Sequence, residues 1–203
     1  MPGKRCRRSA IAQYRLRWRE IKGVSLRASK INLMAMNAIF LAKRAGPAAL
    51  GFCVLSNELR CFADDLRAQM KLLGDITLKG VNAVTALVKE ARTSRVLDRA
   101  MAESVDGRRT MVSEVVRRHG DKQSERGERI QALNRRLTQL IADIAQLVEL
   151  GSVLARSAKI EAAYGAEFSG PLTQVASDFE EIIDGIRGSL ASLAKRPFIE
   201  SSG

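Results

Sequence analysis

The chain has 203 residues, 46% of them hydrophobic but only 4% aromatic, with four prolines and a formal net charge of +12. Few rings beside many Ala, Leu, Ile, Val and charged residues point to helices packed through small aliphatic side chains rather than to a compact, ring-filled globule. A single histidine, His119, and three cysteines without ligand spacing (Cys6, Cys53, Cys61) leave little material for a metal site or for Ser/His or Cys/His catalysis. No metal and no cofactor is expected.

Cys53 and Cys61 lie too far apart along one helix to pair, so the thiols are expected to be buried or half-buried in a reducing cytoplasm. No apolar run approaches the ~20 residues that span a bilayer. The basic N-terminus has no hydrophobic stretch of secretion-signal length. A soluble, cytoplasmic protein is the expectation.

The charge is uneven. Residues 1–22 hold eight Lys/Arg, among them Arg5, Arg7, Arg8, Arg15, Arg17 and Arg19, against Glu20 alone. Such a basic N-terminal arm can attract anionic lipid, nucleic acid or an acidic protein surface. Residues 157–203, by contrast, carry four cations and seven carboxylates.

From Tyr14 onward, apolar and small residues recur at steps of three and four: Ile21, Val24, Ala28, Ile31, Ala35, Ala38, Ala42 and Ala45, with Arg17 the one break. The stripe stops at Gly46-Pro47, where Gly can take the left-handed conformation that ends a helix and Pro can open the next. A second stripe follows at Phe52, Leu55, Leu59, Phe62, Leu66, Leu73 and Ile76. Its prompt resumption predicts an antiparallel hairpin.

The stripe weakens over 77–107, where Val81, Val84 and Val88 suggest a shift of register, and Ser104-Val105-Asp106-Gly107 predicts a turn. A third helix is predicted through Ile130, Leu133, Leu137, Leu140, Ile144, Leu147 and Leu154, its early part bent or flexible at Gly120 and Gly127. A second glycine-containing junction, AAYGAEFSGPL, leads to a fourth stripe at Leu172, Val175, Phe179, Ile182, Ile186, Leu190 and Leu193. Lys195-Arg196-Pro197 should end it, leaving a loose tail at 197–203.

Sliding the chain by 120 residues lays Phe52, Leu55, Leu59, Phe62 and Leu66 on Leu172, Val175, Phe179, Ile182 and Ile186. Pro47 falls on Glu167, and Gly107 lies midway between them. The expected architecture is therefore all-α: an elongated antiparallel four-helix coiled-coil bundle made of two hairpins. The first spans 9–106 with its tip near 46–51, and the second, degenerate hairpin spans 107–196 with its tip near 164–171. The middle two helices should each approach ~55 residues, or ~80 Å.

The stretch INLMAMNAIFLAKRAGPAALGFCVLSNELRCFA resembles the cytoplasmic signalling hairpin of methyl-accepting chemotaxis proteins, the bacterial chemoreceptors. The match runs ungapped over about thirty residues, through Asn32, Leu33, Ala35, Asn37, Ala38, Ala42, Arg44, Ala45, Gly46, Gly51, Phe52, Val54, Glu58, Arg60 and Ala63. SAKIEAAYGAEFSG resembles the same region more loosely, keeping Ile160, Glu161, Ala162, Ala163 and Glu167. In that family the hairpin dimerises into a four-helix bundle whose tip clusters receptors and contacts a histidine kinase and a coupling protein.

The resemblance implies a non-enzymatic signalling or adaptor protein, with kinase, coupling protein or other receptors as partners. Its implied contact residues are Leu33, Asn37, Arg44, Val54, Glu58 and Arg60. The implied turn is Gly46, Pro47 and Gly51, with Glu161 and Glu167 at the second tip. The family's glutamates in IEAA and after the turn glycine are Leu41 and Pro47 in the first hairpin, and the arginine of GRGF is Leu50. These departures exchange charge for apolar surface, and no methylation site is assigned. The chain could be a monomer or a homodimer.

The competing reading is a structural coiled-coil protein that docks on an anionic membrane, or less readily on nucleic acid, through the basic arm, with Trp18 and Tyr14 supporting an interfacial helix. Catalysis is the weakest reading: Asp64 and Asp65 are sequential and face different ways on a helix, and no GxGxxG or Walker pattern occurs.

Overall fold

The computed structural model describes residues 2–102 and 106–195. The Ser104-Val105 part of the expected turn and the tail from Pro197 lie outside the described residues, as do the side chains of Arg5, Cys6, Arg7, Arg8, Tyr14, Val88 and His119. Four α-helices are described: α1 (Pro2–Ala45), α2 (Leu50–Ala102), α3 (Asp106–Ala162) and α4 (Ser169–Ala194). The middle two, of 53 and 57 residues, have the expected length. Asp106 and Gly107, expected in the turn, open α3 instead.

α3 also runs as one continuous helix through Gly120 and Gly127, the part expected to be bent or flexible. Neither glycine has a neighbour near the position its Cβ would take. An interior glycine costs about 1 kcal/mol relative to Ala, too little to interrupt a helix whose hydrogen bonds continue on both sides.

The chain divides into two compact units. One comprises Leu16–Gly74 with Thr138–Glu200, and the other Asp75–Leu137 with the N-terminal part of α1 up to Arg15. In the first unit all four helices pack antiparallel. Trp18 and Ile21 of α1 lie over Gly74 of α2, Phe62 of α2 lies against Gly151 of α3, and Arg27 of α1 crosses Gly185 of α4 to donate to Ser189 Oγ at 3.1 Å. Lys159 and Glu149 of α3 pair with Glu180 and Arg187 of α4. From Glu149–Arg187 to Lys159–Glu180 the pairs ascend α3 as they descend α4.

The core of this unit is the predicted stripe. Ile21, Val24, Ala28, Ile31, Ala35, Ala38 and Ala42 of α1 are buried, and Phe52, Ser56, Leu59, Phe62, Ala63, Leu66, Met70 and Leu73 of α2 face them. Leu55, predicted as core, is only half-buried, because Ser56 and Ala63 take positions that spacing alone passed over. In α3 the register differs from expectation. Leu147 and Leu154 are half-buried, while Ile144, Val148, Gly151, Ala155, Ala158 and Ala162 point inward.

The reason is Phe62. Its ring fills the space above Gly151, where a Cβ would come within 2.5 Å of Cζ, so a glycine rather than a leucine occupies that core position.

The buried positions repeat. Starting from Ile21 and Ile141 and moving in steps along both hairpins, each buried residue of α1 named above has a buried counterpart in α3. Likewise, Phe52 through Leu73 of α2 are matched by Leu172, Ala176, Phe179, Ile182, Ile183, Ile186, Leu190 and Leu193 of α4. Phe62 and Gly151 therefore correspond to Ile182 and Ile31. The Phe62 contact sets large against small, whereas the two buried residues at the equivalent positions, Ile182 and Ile31, are equal in size.

In the second unit, α2 and α3 are joined by an ion pair between Glu90 and Arg126, and Ile76, Thr77, Ile130 and Leu137 are buried. Arg117 bonds Glu114 and Asp121 along the exposed face of α3. Glu114 is held below the usual carboxylate range by its hydrogen bonds from Arg117 and Arg118.

Arg15–Ala102 and Ser113–Ala162 each contain a window long and apolar enough to cross a bilayer by composition alone. The first stretch contains the reversal at Gly46, and core helices of bundles meet the same criterion. These windows are weak evidence for membrane spans.

Gly151→Ala should destabilise the protein by about 1–3 kcal/mol through overpacking against the Phe62 ring. Adding Phe62→Leu should restore most of that loss. Chemical denaturation of the wild type and the two variants checks it.

Candidate functional site

The first tip is built by backbone chemistry. Gly46 has φ of 75°, a conformation L-residues with a Cβ rarely adopt, and it ends α1 as the sequence predicts. Pro47 is the second residue of a single 3₁₀ turn over Gly46–Ala49, after which α2 starts at Leu50. Ala49 is buried under the turn, while Pro47 and Leu50 are exposed.

The second tip is built differently. α3 ends at Ala162, and successive i to i−3 hydrogen bonds from Ala163, Tyr164 and Gly165 N–H groups (each 3.1 Å) tighten its last turn. A 3₁₀ turn over Ala166–Phe168 leads into α4. Gly165 is required by close approach: a Cβ there would come within 2.5 Å of Leu172 Cδ1.

The two tips meet. The Glu161 carboxylate folds over the backbone of Gly51, where any added Cβ would collide with it. Thus Gly51 and Glu161, from opposite hairpins, form one contact. Glu167 is exposed.

Of the candidate contact residues, Leu33 and Val54 are each 61% exposed, and Asn37, Arg44 and Glu58 are also exposed. Arg60 is half-buried and donates to Asn57 Oδ1 at 3.2 Å. Leu33, Asn37 and Arg44 occupy one face of α1 at helical spacing, opposite the buried stripe. Phe40 lies on the same face, 63% exposed, with Met36 beside it. Neither was singled out from sequence, although their offset from the core stripe could have revealed them.

The second hairpin carries an equivalent exposed face at Leu150, Val153, Ile160 and Tyr164. Exposed apolar groups gathered this densely mark an interaction surface more often than chance.

Electrostatics at the second hairpin centre on Glu180, which stands where the first hairpin has Arg60. Its pKa is lowered by the hydrogen bond and charge of Lys159 (2.9 Å), with a smaller contribution from Arg156. Stability from this pair is full above the ordinary carboxylate range and fades as pH falls through the lowered folded value.

The basic arm is only partly available. Arg15 and Arg19 are exposed, but Arg17 is 4% exposed and sits in the core stripe it was expected to interrupt. Its long aliphatic stem lets a cation occupy such a position. It therefore offers no charge to an outside surface. Trp18 lies edgewise over Gly74 with Lys22 Nζ 5.4 Å from its ring, so packing engages part of the ring proposed to enter lipid.

Cys53 is half-buried, whereas Cys61, expected to be shielded, is exposed; both are free thiols. Asp64 and Asp65 are exposed, Asp64 pairing with Arg67 at 3.1 Å. Among the described residues no His, Cys, Asp and Glu cluster could hold a metal.

The chain is 26% identical over 158 residues to methyl-accepting chemotaxis protein CtpH of Pseudomonas aeruginosa. The match supports a chemoreceptor-like relation. It takes in 77% of this chain but 23% of that protein, so the chain spans about a quarter of its relative's length. No protein-family profile and no solved structure matches.

Lys159→Ala should raise the Glu180 pKa toward its ordinary value. A carboxyl-carbon NMR titration reads this directly, and an unmoved midpoint would contradict the assigned cause.

Proposed function

We propose that this chain is a non-enzymatic chemoreceptor-like signalling or adaptor protein of the cytoplasm that acts by binding. Its first tip is the working surface, presented to a chemotaxis histidine kinase or its coupling protein. The observation that carries this reading is the exposed face of Leu33, Asn37, Phe40 and Arg44, with Val54 beside the turn, at positions where the sequence resembles the chemoreceptor tip.

The repeat of buried positions supports a further element. The two hairpins stand in for the two subunits of a receptor dimer, the second hairpin being a diverged copy of the first. Exposed Leu50, where the family has arginine, makes the surface more apolar and less charged. Partner choice then rests on shape and apolar contact, with Arg44 supplying the charge.

A pull-down with purified kinase and coupling protein tests the reading. The wild-type chain should retain at least one of them, and Arg44→Glu with Val54→Glu should lower that affinity at least about tenfold, because both groups lie at the centre of the contact. Both residues are exposed, so helicity should be unchanged. Retention of neither partner by the wild type contradicts the proposal.

A further inference from the structure

The unit formed by Asp75–Leu137 and the first fifteen residues holds most of the charge. Residues 75–137 contain 14 Lys/Arg against 9 Asp/Glu, and residues 1–15 add five cations and no carboxylate. The unit thus accounts for +10 of the chain's +12.

Within it, α2 and α3 leave a cleft of about 330 Å³ between facing helical positions: Lys79, Asn82, Ala83 and Ala86 on one side, Arg126, Arg129 and Leu133 on the other. The gap exists because α2 presents two alanines where a larger side chain would close the seam. Three cations surround it. Glu90 neutralises Arg126 at one end, while Lys79 and Arg129 have no ion-pair partner among the described residues. Ala83, Ala86 and Leu133 supply an apolar wall.

We infer that this cleft binds the phosphate of an anionic phospholipid, docking the unit on a membrane surface. Phosphate completes the charge balance left by Lys79 and Arg129, and Arg126 can add a second donor from its planar fork. The alanine and leucine wall takes the apolar part of the lipid. None of the lining residues is aromatic, so the stacking platform that retains single-stranded nucleic acid is missing. The remaining cations of the unit draw it toward an anionic leaflet, each adding to the attraction within about a Debye length. The cleft, rather than the N-terminal arm, is the specific element.

Vesicle flotation with the full chain tests this. The arms are phosphatidylcholine vesicles containing phosphatidylglycerol, pure phosphatidylcholine vesicles, and single-stranded DNA at matched phosphate concentration. Wild type should bind the anionic vesicles over both alternatives. Lys79→Glu with Arg129→Glu should weaken that binding roughly tenfold, whereas Arg92→Glu with Arg95→Glu, exposed residues of the same unit outside the cleft, should change it less than about threefold.

Circular dichroism melting accompanies each variant. If the cleft reversal also melts, Lys79→Gln with Arg129→Gln decides by the same comparison. Equal losses from the two reversals, tighter binding to DNA, or no preference of the wild type for anionic vesicles overturns the proposal. So does loss of binding on deleting residues 2–14 with no effect of the cleft variants.

Discussion

Each helix of the Leu16–Gly74 and Thr138–Glu200 unit carries one narrow stripe of mostly aliphatic side chains, and a hairpin alone leaves that stripe half open to water. Sealing it is worth roughly 25 cal/mol for each Å² of apolar surface removed, and only the other hairpin supplies the missing face. The seam is also selective. Phe62 needs the glycine at 151, whereas Ile182 corresponds to it in the half that carries Ile31. Placing a second copy of the first hairpin across the seam would set Phe62 against Ile31 and overpack it. The reverse substitution would set Ile182 over Gly151 and leave a void. Interiors packed at crystal-like density tolerate neither well, so the unequal sizes favour pairing the first hairpin with the second over pairing like with like.

Much of this was legible in the sequence, because periodicity and glycine chemistry are local. The stripe from Ile21 to Ala42 and the left-handed turn at Gly46 follow from spacing and from one residue's missing Cβ. The register of α3 was not legible. Leu147 and Leu154 look like better core residues than Gly151, and only the ring of Phe62, distant in sequence, reverses the choice. Arg17, readable both as a break in the stripe and as an arm cation, is ambiguous for a related reason: its charge suggests solvent, while its stem fits a core position whose neighbours are apolar. Continuity through Gly120 and Gly127 likewise reflects cooperation along the whole helix, which a single residue's propensity does not capture.

The candidate site was half visible. The turn and the polar positions Asn37 and Arg44 stand out by their likeness to chemoreceptor tips. Phe40 and Met36 are marked only by their offset from the core stripe, which signals exposure without a likeness to draw attention to it. The contact of Glu161 with Gly51 was hidden too, as it joins residues from separate hairpins. The two units also differ in chemistry: one exposes apolar faces at its tips, and the other concentrates cations around an open seam.

The most direct examination of that arrangement is a cross-link between the hairpin ends. In a chain with Cys6, Cys53 and Cys61 replaced by serine, Gly51→Cys with Glu161→Cys should be joined by a short thiol-reactive linker in dilute solution. The product should run as a single 22.3 kDa chain. Failure to join, or joining only as a species of twice that mass, would contradict the pairing of the two ends within one polypeptide.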